Sequence, residues 1–337
     1  MCNNHSPNKF VKRLELKRLA NRNREENKRK KCRKANDIIL KKGIGINSSS
    51  KDYGPNCEKP DFSSKEFAEE RERILQSYQK TEDECKEIER ATLLQAGSGQ
   101  WLELRRKMLT ASNFGRICRR RPTTSCQNLV KSLIYSSSIL NVPSHSHGRN
   151  SELIAIQQLE HQENIIITKC GLFIDSQLPF LGASPDGLIG DDGLVEIKCP
   201  LTAFGMDADA AVFYGKIKYL TCNKQKTEET GMTKTHAYFY QVEGQLHISE
   251  RKYCLFAVWT SERKKIKVMR VEKDDHFWKK EMEPYLTRFF YECMLPELVD
   301  PRHTRSLKIR EPDSVAVSEE KKTEVMKKSQ QTKEEIL

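Results

Sequence analysis

The chain has 337 residues, 37% of them hydrophobic and 31% charged, with a formal net charge of +12. That length suits one ordinary or large domain plus extensions, and no apolar run reaches the length of a membrane span, so no membrane partner is expected. Eleven cysteines occur without a CxxC pair and with no apolar leader at the N-terminus, which points to reduced thiols and an intracellular setting.

Most of the positive charge is local. Residues 10–44 carry 14 Lys and Arg against four acids, which leaves the remainder near neutral. Residues 1–57 therefore read as a basic, disordered arm. Its run Lys28, Arg29, Lys30, Lys31, Arg33 and Lys34 suits a nuclear import signal, a phosphate-binding arm or plain solubilisation. Residues 58–96 read as a charged helical segment. Ser63-x-x-Glu66 fits a capping box, and Phe67, Ile74, Leu75, Tyr78, Cys85, Ile88 and Leu93 make a narrow apolar stripe for packing on the adjoining domain. The folded domain is placed at residues 97–300.

Trp101 opens a short helix, and Thr110 or Ser112 caps another. A helix N-terminus beside Arg105 makes an anion site, with free N–H groups and a guanidinium. Residues 129–140 read as a helix, 143–150 as a loop and 151–160 as a helix with Glu152 in its first turn, a favourable place for an acid on dipole grounds alone. His145-x-His147, near Cys126 in number, sits in a Ser-rich loop where such pairs are usually only polar. Residues 165–168 and 171–175 read as strands.

The segment 180–200 reads as a β-hairpin. Its first strand ends at Asp186, Gly190-Asp191-Asp192-Gly193 supplies the turn, and the second strand stops at Pro200. Alternation puts Val195, Ile197 and Cys199 on an apolar face and Glu196 and Lys198 on the other. Two carboxylates and an amine then converge, a pattern suited to a hard metal with a basic group beside it. A lone Glu-x-Lys is usually a solvated face; here an Asp one hairpin earlier and an apolar setting favour a site.

Residues 205–235 read as a long insertion, polar in its middle. In the helix at 235–248, Tyr238, Gln241 and Gln245 share one face, which suits hydrogen bonding to phosphates, water or a metal-site carboxylate. Two strands come next, then an amphipathic helix over 274–294 and a charged, disordered tail at 301–337. The expected fold is a mixed α/β domain with one central sheet flanked by helices.

Four ordered blocks in residues 101–298 resemble the YqaJ viral-recombinase family, which includes the lambda exonuclease and belongs to the PD-(D/E)xK nucleases of restriction-endonuclease-like fold. They are Trp101-x-x-x-Arg105 with Thr110-Ala111-Ser112, Gly148-x-x-x-Glu152, Ala183-Ser184-Pro185-Asp186-Gly187-Leu188 with Leu194-Val195-Glu196-Ile197-Lys198-Cys199-Pro200, and Tyr238-x-x-Gln241. The resemblance implies that Asp186, Glu196 and Glu152 bind Mg²⁺ (or Mn²⁺) and that Lys198 orients or activates the attacking water. It assigns Gln241, with Tyr238, to the wall of the site and Arg105 and Ser112 to a 5′ phosphate; Asp175 aligns with a further carboxylate to within one residue.

The activity it implies is 5′–3′ digestion of duplex DNA in recombination, repair or mobile-element and viral DNA processing. DNA is the expected partner; a homotrimer and a strand-annealing protein enter by resemblance alone, and a eukaryotic member would work in the nucleus. The competing readings are a structure-selective endonuclease or resolvase and a non-catalytic DNA-binding remnant of a mobile element. The arm and the insertion at 205–235 depart from the family pattern, which leaves trimer and polarity open.

Overall fold

The computed structural model describes residues 60–135, 143–221, 231–315 and 317. The basic run Lys28, Arg29, Lys30, Lys31, Arg33 and Lys34 lies outside them, as does the end of the chain. Helices α1 (Ser64–Tyr78) and α2 (Glu82–Ala91) each open on a reciprocal capping box, Ser63 with Glu66 and Thr81 with Glu84. Each box satisfies two orphan N–H groups, which suits short helices of such polar sequence. Their narrow stripe docks: Phe67, Ile74, Leu75 and Tyr78 pack on the main core, and Cys85 and Ile88 on a smaller cluster with Met108 and Leu172. Leu93 stays exposed.

The chain then forms α3 (Gly99–Lys107), β1 (Leu109–Thr110), α4 (Ala111–Cys118), α5 (Gln127–Ile134) and α6 (Pro143–Glu163). Helix α6 corrects the expected loop at 143–150. Pro143 is compatible with a helix start because its missing N–H falls where no helical partner exists. Glu152 consequently lies mid-helix, not in a first turn. Beyond it, Glu152, Ala155 and Leu159 fall on one face, and Ala155 and Leu159 are fully buried.

The strands form two sheets where one was expected. The first has the order β1–β3–β2, with β2 (Phe173–Ile174) antiparallel and β1 parallel to β3 (Leu181–Ala183). The second has the order β4–β5–β6–β7: β4 (Gly187–Ile189), β5 (Gly193–Lys198), β6 (Tyr253–Val258) and β7 (Lys267–Glu272), with only the β5–β6 pair parallel. Residues 180–200 therefore do not make one hairpin. The hairpin is β4–β5, turned by Gly190 at φ +52°, and Ser184-Pro185-Asp186 links the two sheets. Asp186 precedes the first hairpin strand instead of ending it. Pro185, which has no N–H, interrupts the ladder at this crossing. Residues 165–168 contribute only a bridge from Thr168 to Leu188.

Strand β5 is buried on both faces. Leu194 packs with Val242, Leu246 and Phe256, while Val195 and Ile197 pack with Ala155, Leu159 and Trp259. Helix α6 thus covers one face of the second sheet and α8 (Ala237–Ile248) the other. Helix α8 also lies against α4 at unusually short range. A Cβ at Gly244 would stand 2.4 Å from the Phe114 ring, and one at Gly115 would stand 2.5 Å from the Ala237 backbone.

The insertion is not a free loop at its ends. It contains α7 (Ala208–Phe213), and Ala211, Val212, Ile217, Tyr219 and Leu220 join the core beside Phe256. Residues 222–230 lie outside the described residues. The helix expected over 274–294 runs through 275–299 with two π turns, Trp278–Met282 and Phe290–Met294. These turns precede Pro284 and Pro296, whose rings have no N–H to give the preceding turn, so the ladder widens and continues. Residues 301–315, expected as tail, lie against the body: Ile309 and Val315 are buried, and Arg305 and Arg310 pair with Asp61 and Asp300.

Candidate active site

Alternation along β5 turns Glu196 toward α8, where the carboxylate is 2% exposed. Helical spacing delivers its partners. Gln241 Nε2 donates to Glu196 Oε1 at 2.6 Å, and Gln245 Nε2 donates to Oε2 at 2.7 Å. Lys198 Nζ also donates to Glu196 Oε1, and it donates to Gln241 Oε1 at 3.3 Å. The Lys198 ammonium lies 4.5 Å from the centre of the Tyr238 ring, a cation–π distance. The family motifs omit Gln245; the helix face that it shares with Gln241 is the sequence signal that points to it.

Asp186 faces the same point from the crossover. Its N–H donates to Val195 O at 3.0 Å, and its Oδ2 accepts the Ile197 N–H at 2.6 Å. The crossover is pinned from outside by residues that sequence spacing does not reveal. Gln95 Nε2 donates to Pro185 O at 2.8 Å, and Trp101 Nε1 donates to Ser184 Oγ at 2.9 Å. Glu152, from mid-α6, lines a cavity of about 500 Å³ together with Asp186, Glu196, Lys198 and Tyr238. Glu152 and Gln241 therefore meet the strand residues, although Glu152 arrives from the middle of its helix.

The electrostatics reflect this crowding. Burial, then the charges of Glu196 and Glu152, push the Asp186 carboxyl well above its ordinary range. Burial and then Glu196 also raise the pKa of Glu152. Burial works against the Lys198 ammonium, but Glu196 and Asp186 outweigh it and hold its pKa above the usual lysine value. Three carboxylates around one ammonium leave an excess of negative charge and hard oxygen donors. Carboxylate oxygens of this kind are the donor chemistry that a hard divalent cation takes. Among the described residues, no group of three or more His, Cys, Asp or Glu side chains is gathered closely enough to hold a metal ion; Glu196 is oriented by amides in the manner of second-layer partners of metal carboxylates.

A second cavity adjoins the first, and Arg149 lines both. Trp101, Arg105, Arg106, Thr110 and Asn113 line it. Arg105 lies 4.1 Å over the Trp101 ring and donates to Ser112 Oγ at 3.3 Å. Burial pushes its pKa down to about 10, and Glu196 opposes that shift. The guanidinium is still cationic at neutral pH. Arg106, Arg149 and Asn113 line these cavities without belonging to the fixed positions of any motif.

Asp175 does not join the cavity. Its Oδ1 accepts the N–H groups of Gln177 and Leu178, and its Oδ2 faces His247 at 3.5 Å. His147 packs on Phe204 and Trp259, while Cys126 belongs to the main core, so no histidine–cysteine site forms between them. No helix among the described residues is long and apolar enough to cross a membrane.

These features define a mixed α/β domain with an acidic cavity at the end of a central strand and a basic pocket beside it. Residues 100–252 match the YqaJ-like viral recombinase domain. Among solved structures, the chain is similar to the alkaline exonuclease LHK-Exo of Laribacter hongkongensis, at 24% identity over 60% of this chain and 94% of that one, with a TM-score of 0.46. It is also similar to a phage-related exonuclease of Haemophilus somnus (11% identity, 57% and 95% covered, TM-score 0.39). The Shutoff and Exonuclease Protein of Kaposi's sarcoma-associated herpesvirus is similar at 13% identity, with 67% and 74% covered and a TM-score of 0.41. No curated protein sequence matches this chain.

Proposed function

We propose that this protein is a divalent-metal-dependent deoxyribonuclease that digests duplex DNA from 5′ ends. The observation that carries this reading is the shared cavity of Asp186, Glu196, Glu152 and Lys198, with the Arg105 pocket next to it. The match to the YqaJ-like domain supports it, since residues 100–252 contain all of these side chains.

Asp186, Glu196 and Glu152 would hold Mg²⁺ or Mn²⁺, which when bound polarises a phosphate and makes a bound water more acidic. The chain's own groups do the rest. Lys198, kept protonated by Glu196 and Asp186, donates toward the attacking water or the phosphate oxygens and offsets charge that grows in the transition state. Gln241 and Gln245 keep the Glu196 carboxylate in one orientation. Arg105 and Ser112 hold a terminal 5′ phosphate by charge-assisted hydrogen bonds, which places the first phosphodiester over the acidic cavity. Tyr238 buttresses the ammonium.

The test is cleavage of end-labelled linear duplex with and without Mg²⁺, beside nicked and closed circular DNA. Linear DNA should be degraded only with the metal, and closed circles should survive. Lys198→Ala and Asp186→Asn should each lower the rate by about a hundredfold or more while DNA is still bound. Unchanged rates in both variants would refute the assignment, and cutting of closed circles would make the enzyme an endonuclease.

A further inference from the structure

The three most exposed aromatic side chains among the described residues are Phe213 and Tyr214, each 69% exposed, and Phe204, 55% exposed. Phe213 and Tyr214 lie in the insertion at 205–235 that departs from the family pattern, and Phe204 immediately precedes it. Water-facing aromatic rings are costly to leave uncovered when core positions exist, and here the core positions are taken. Ala211, Val212, Ile217, Tyr219 and Leu220 are buried on either side of the exposed pair.

The pair is rigidly presented. Its rings meet edge to face with centres 5.3 Å apart. Helix α7 ends directly behind it, where Gly215 adopts φ +67° and its N–H donates to Val212 O at 3.0 Å. Lys216 N–H returns to Ala211 O at 2.8 Å. Beyond this turn the chain alternates exposed Lys216 and Lys218 with buried Ile217 and Tyr219. Two aromatic faces and two cations thus stand on one short, anchored segment.

This segment is continuous with the acidic cavity. Tyr219 and Leu201 line that cavity. Thr202 Oγ1, next to Leu201, donates to Lys216 O at 3.4 Å. Phe204 packs edge-on to His147, with centres 5.1 Å apart, and Gly148 and Arg149 of the same helix also line the cavity. Phe204 and the segment from Lys216 to Tyr219 therefore border the cavity, and Phe213 and Tyr214 lie just before that segment.

We propose that Phe204, Phe213 and Tyr214, with Lys216 and Lys218, form a lip that holds unpaired nucleotides of single-stranded DNA at the mouth of the cavity. Its use during digestion rests on the nuclease reading above. A duplex hides the faces of its bases in the stack, whereas an unpaired strand offers them to aromatic rings and its phosphates to lysines. An exposed aromatic pair followed by two exposed lysines matches that chemistry. Proximity to a phosphodiester site gives such a strand a reason to be there, because digestion of one strand from an end leaves its complement unpaired.

The full-length chain is tested by fluorescence anisotropy in EDTA with labelled oligo(dT) and with a blunt duplex of the same length. The ratio of the two affinities cancels charge contributions common to both. Phe213→Ala/Tyr214→Ala should weaken oligo(dT) binding at least about tenfold and leave the duplex within about twofold. Phe213→Tyr/Tyr214→Phe should bind as wild type. Lys216→Gln/Lys218→Gln should reduce the log–log salt slope for oligo(dT) by roughly 1.4. Unchanged oligo(dT) affinity in the alanine variant, or equal loss on both ligands, overturns the lip. Turnover is not needed for this measurement. A wild-type protein that binds oligo(dT) through these residues yet cleaves nothing with Mg²⁺ sinks the nuclease reading and leaves the lip standing.

Discussion

Glu196 is held by Gln241, Gln245 and Lys198 at once, so both carboxylate oxygens have fixed directions before any ligand arrives. Such preorganisation removes a reorganisation cost from the reaction. Arg105 plays the matching part at the other end of the site. Its guanidinium is stacked on Trp101, and Trp101 in turn ties down Ser184, two residues from Asp186. The pocket for the proposed 5′ phosphate and the crossover carrying Asp186 thus share one indole. A charged hydrogen bond to phosphate is worth about 1.5–3 kcal/mol, or roughly a factor of ten or more. Arg105→Ala should therefore reduce cleavage of 5′-phosphorylated duplex by about tenfold or more and affect 5′-hydroxyl duplex much less. The ratio of the two rates, which a general loss of fold would leave unaltered, checks this. Arg105→Lys should recover part of the preference, since an ammonium keeps the charge and loses the planar fork. Equal rates on both ends in the wild type would remove the phosphate role from Arg105.

The elements show how these side chains reach one point. Helices α4 and α8 pack so closely that only glycine fits at Gly115 and Gly244, and this contact sets the span from Ser112 to Gln241. Gly244→Ala puts a Cβ 2.4 Å from a Phe114 ring that is completely buried. Alanine favours an isolated helix by about 1 kcal/mol, yet overpacking of this kind costs about 1–3 kcal/mol. The variant should be less stable in denaturant unfolding; a gain in midpoint would show that the helices have slack. Local patterns were legible in the sequence where one element decides them. The Ser63–Glu66 box, the inward Glu196 and Lys198 of β5, and the Tyr238, Gln241 and Gln245 face all obey periods of two and 3.6 or a cap spacing. Features set between elements were not. The start of α6 at Pro143 is hidden by a Ser, His, Gly and Asn composition that mimics a loop. The division into two sheets depends on where the chain crosses at Pro185. The core role of Tyr219 and Leu220 depends on Phe256, which is distant in sequence. Gln95 and Trp101 reach Pro185 and Ser184 across more than 80 residues, a link that no spacing rule encodes.

At the scale of the molecule, the site is assembled on a framework that also buries acids outside the cavity, Glu243 among them. Glu243 lies on α8 between Gln241 and Gln245 and is 1% exposed. Its Oε2 accepts the Asp274 N–H at 3.0 Å, and its Oε1 has no partner among the described residues. Burial raises its pKa from 4.5 to about 7. The folded state thus binds a proton that the unfolded state releases at lower pH. The stability linked to this proton is fully present below the unfolded value, near 4.5, and is lost as pH rises through about 7. A shift of that size corresponds to about 3 kcal/mol between the two ends of the window, an order-of-magnitude figure. Glu243→Gln keeps an acceptor for Asp274 and cannot ionise. Its unfolding free energy should stay flatter than wild type from pH 4.5 to 7 and exceed it at pH 8. Denaturant melts at pH 5 and pH 8 read the difference directly. Parallel pH curves for the two proteins would mean that Glu243 titrates normally in the fold. Stability is thereby linked to the site, because Glu243 sits on the helix that carries both amides holding Glu196.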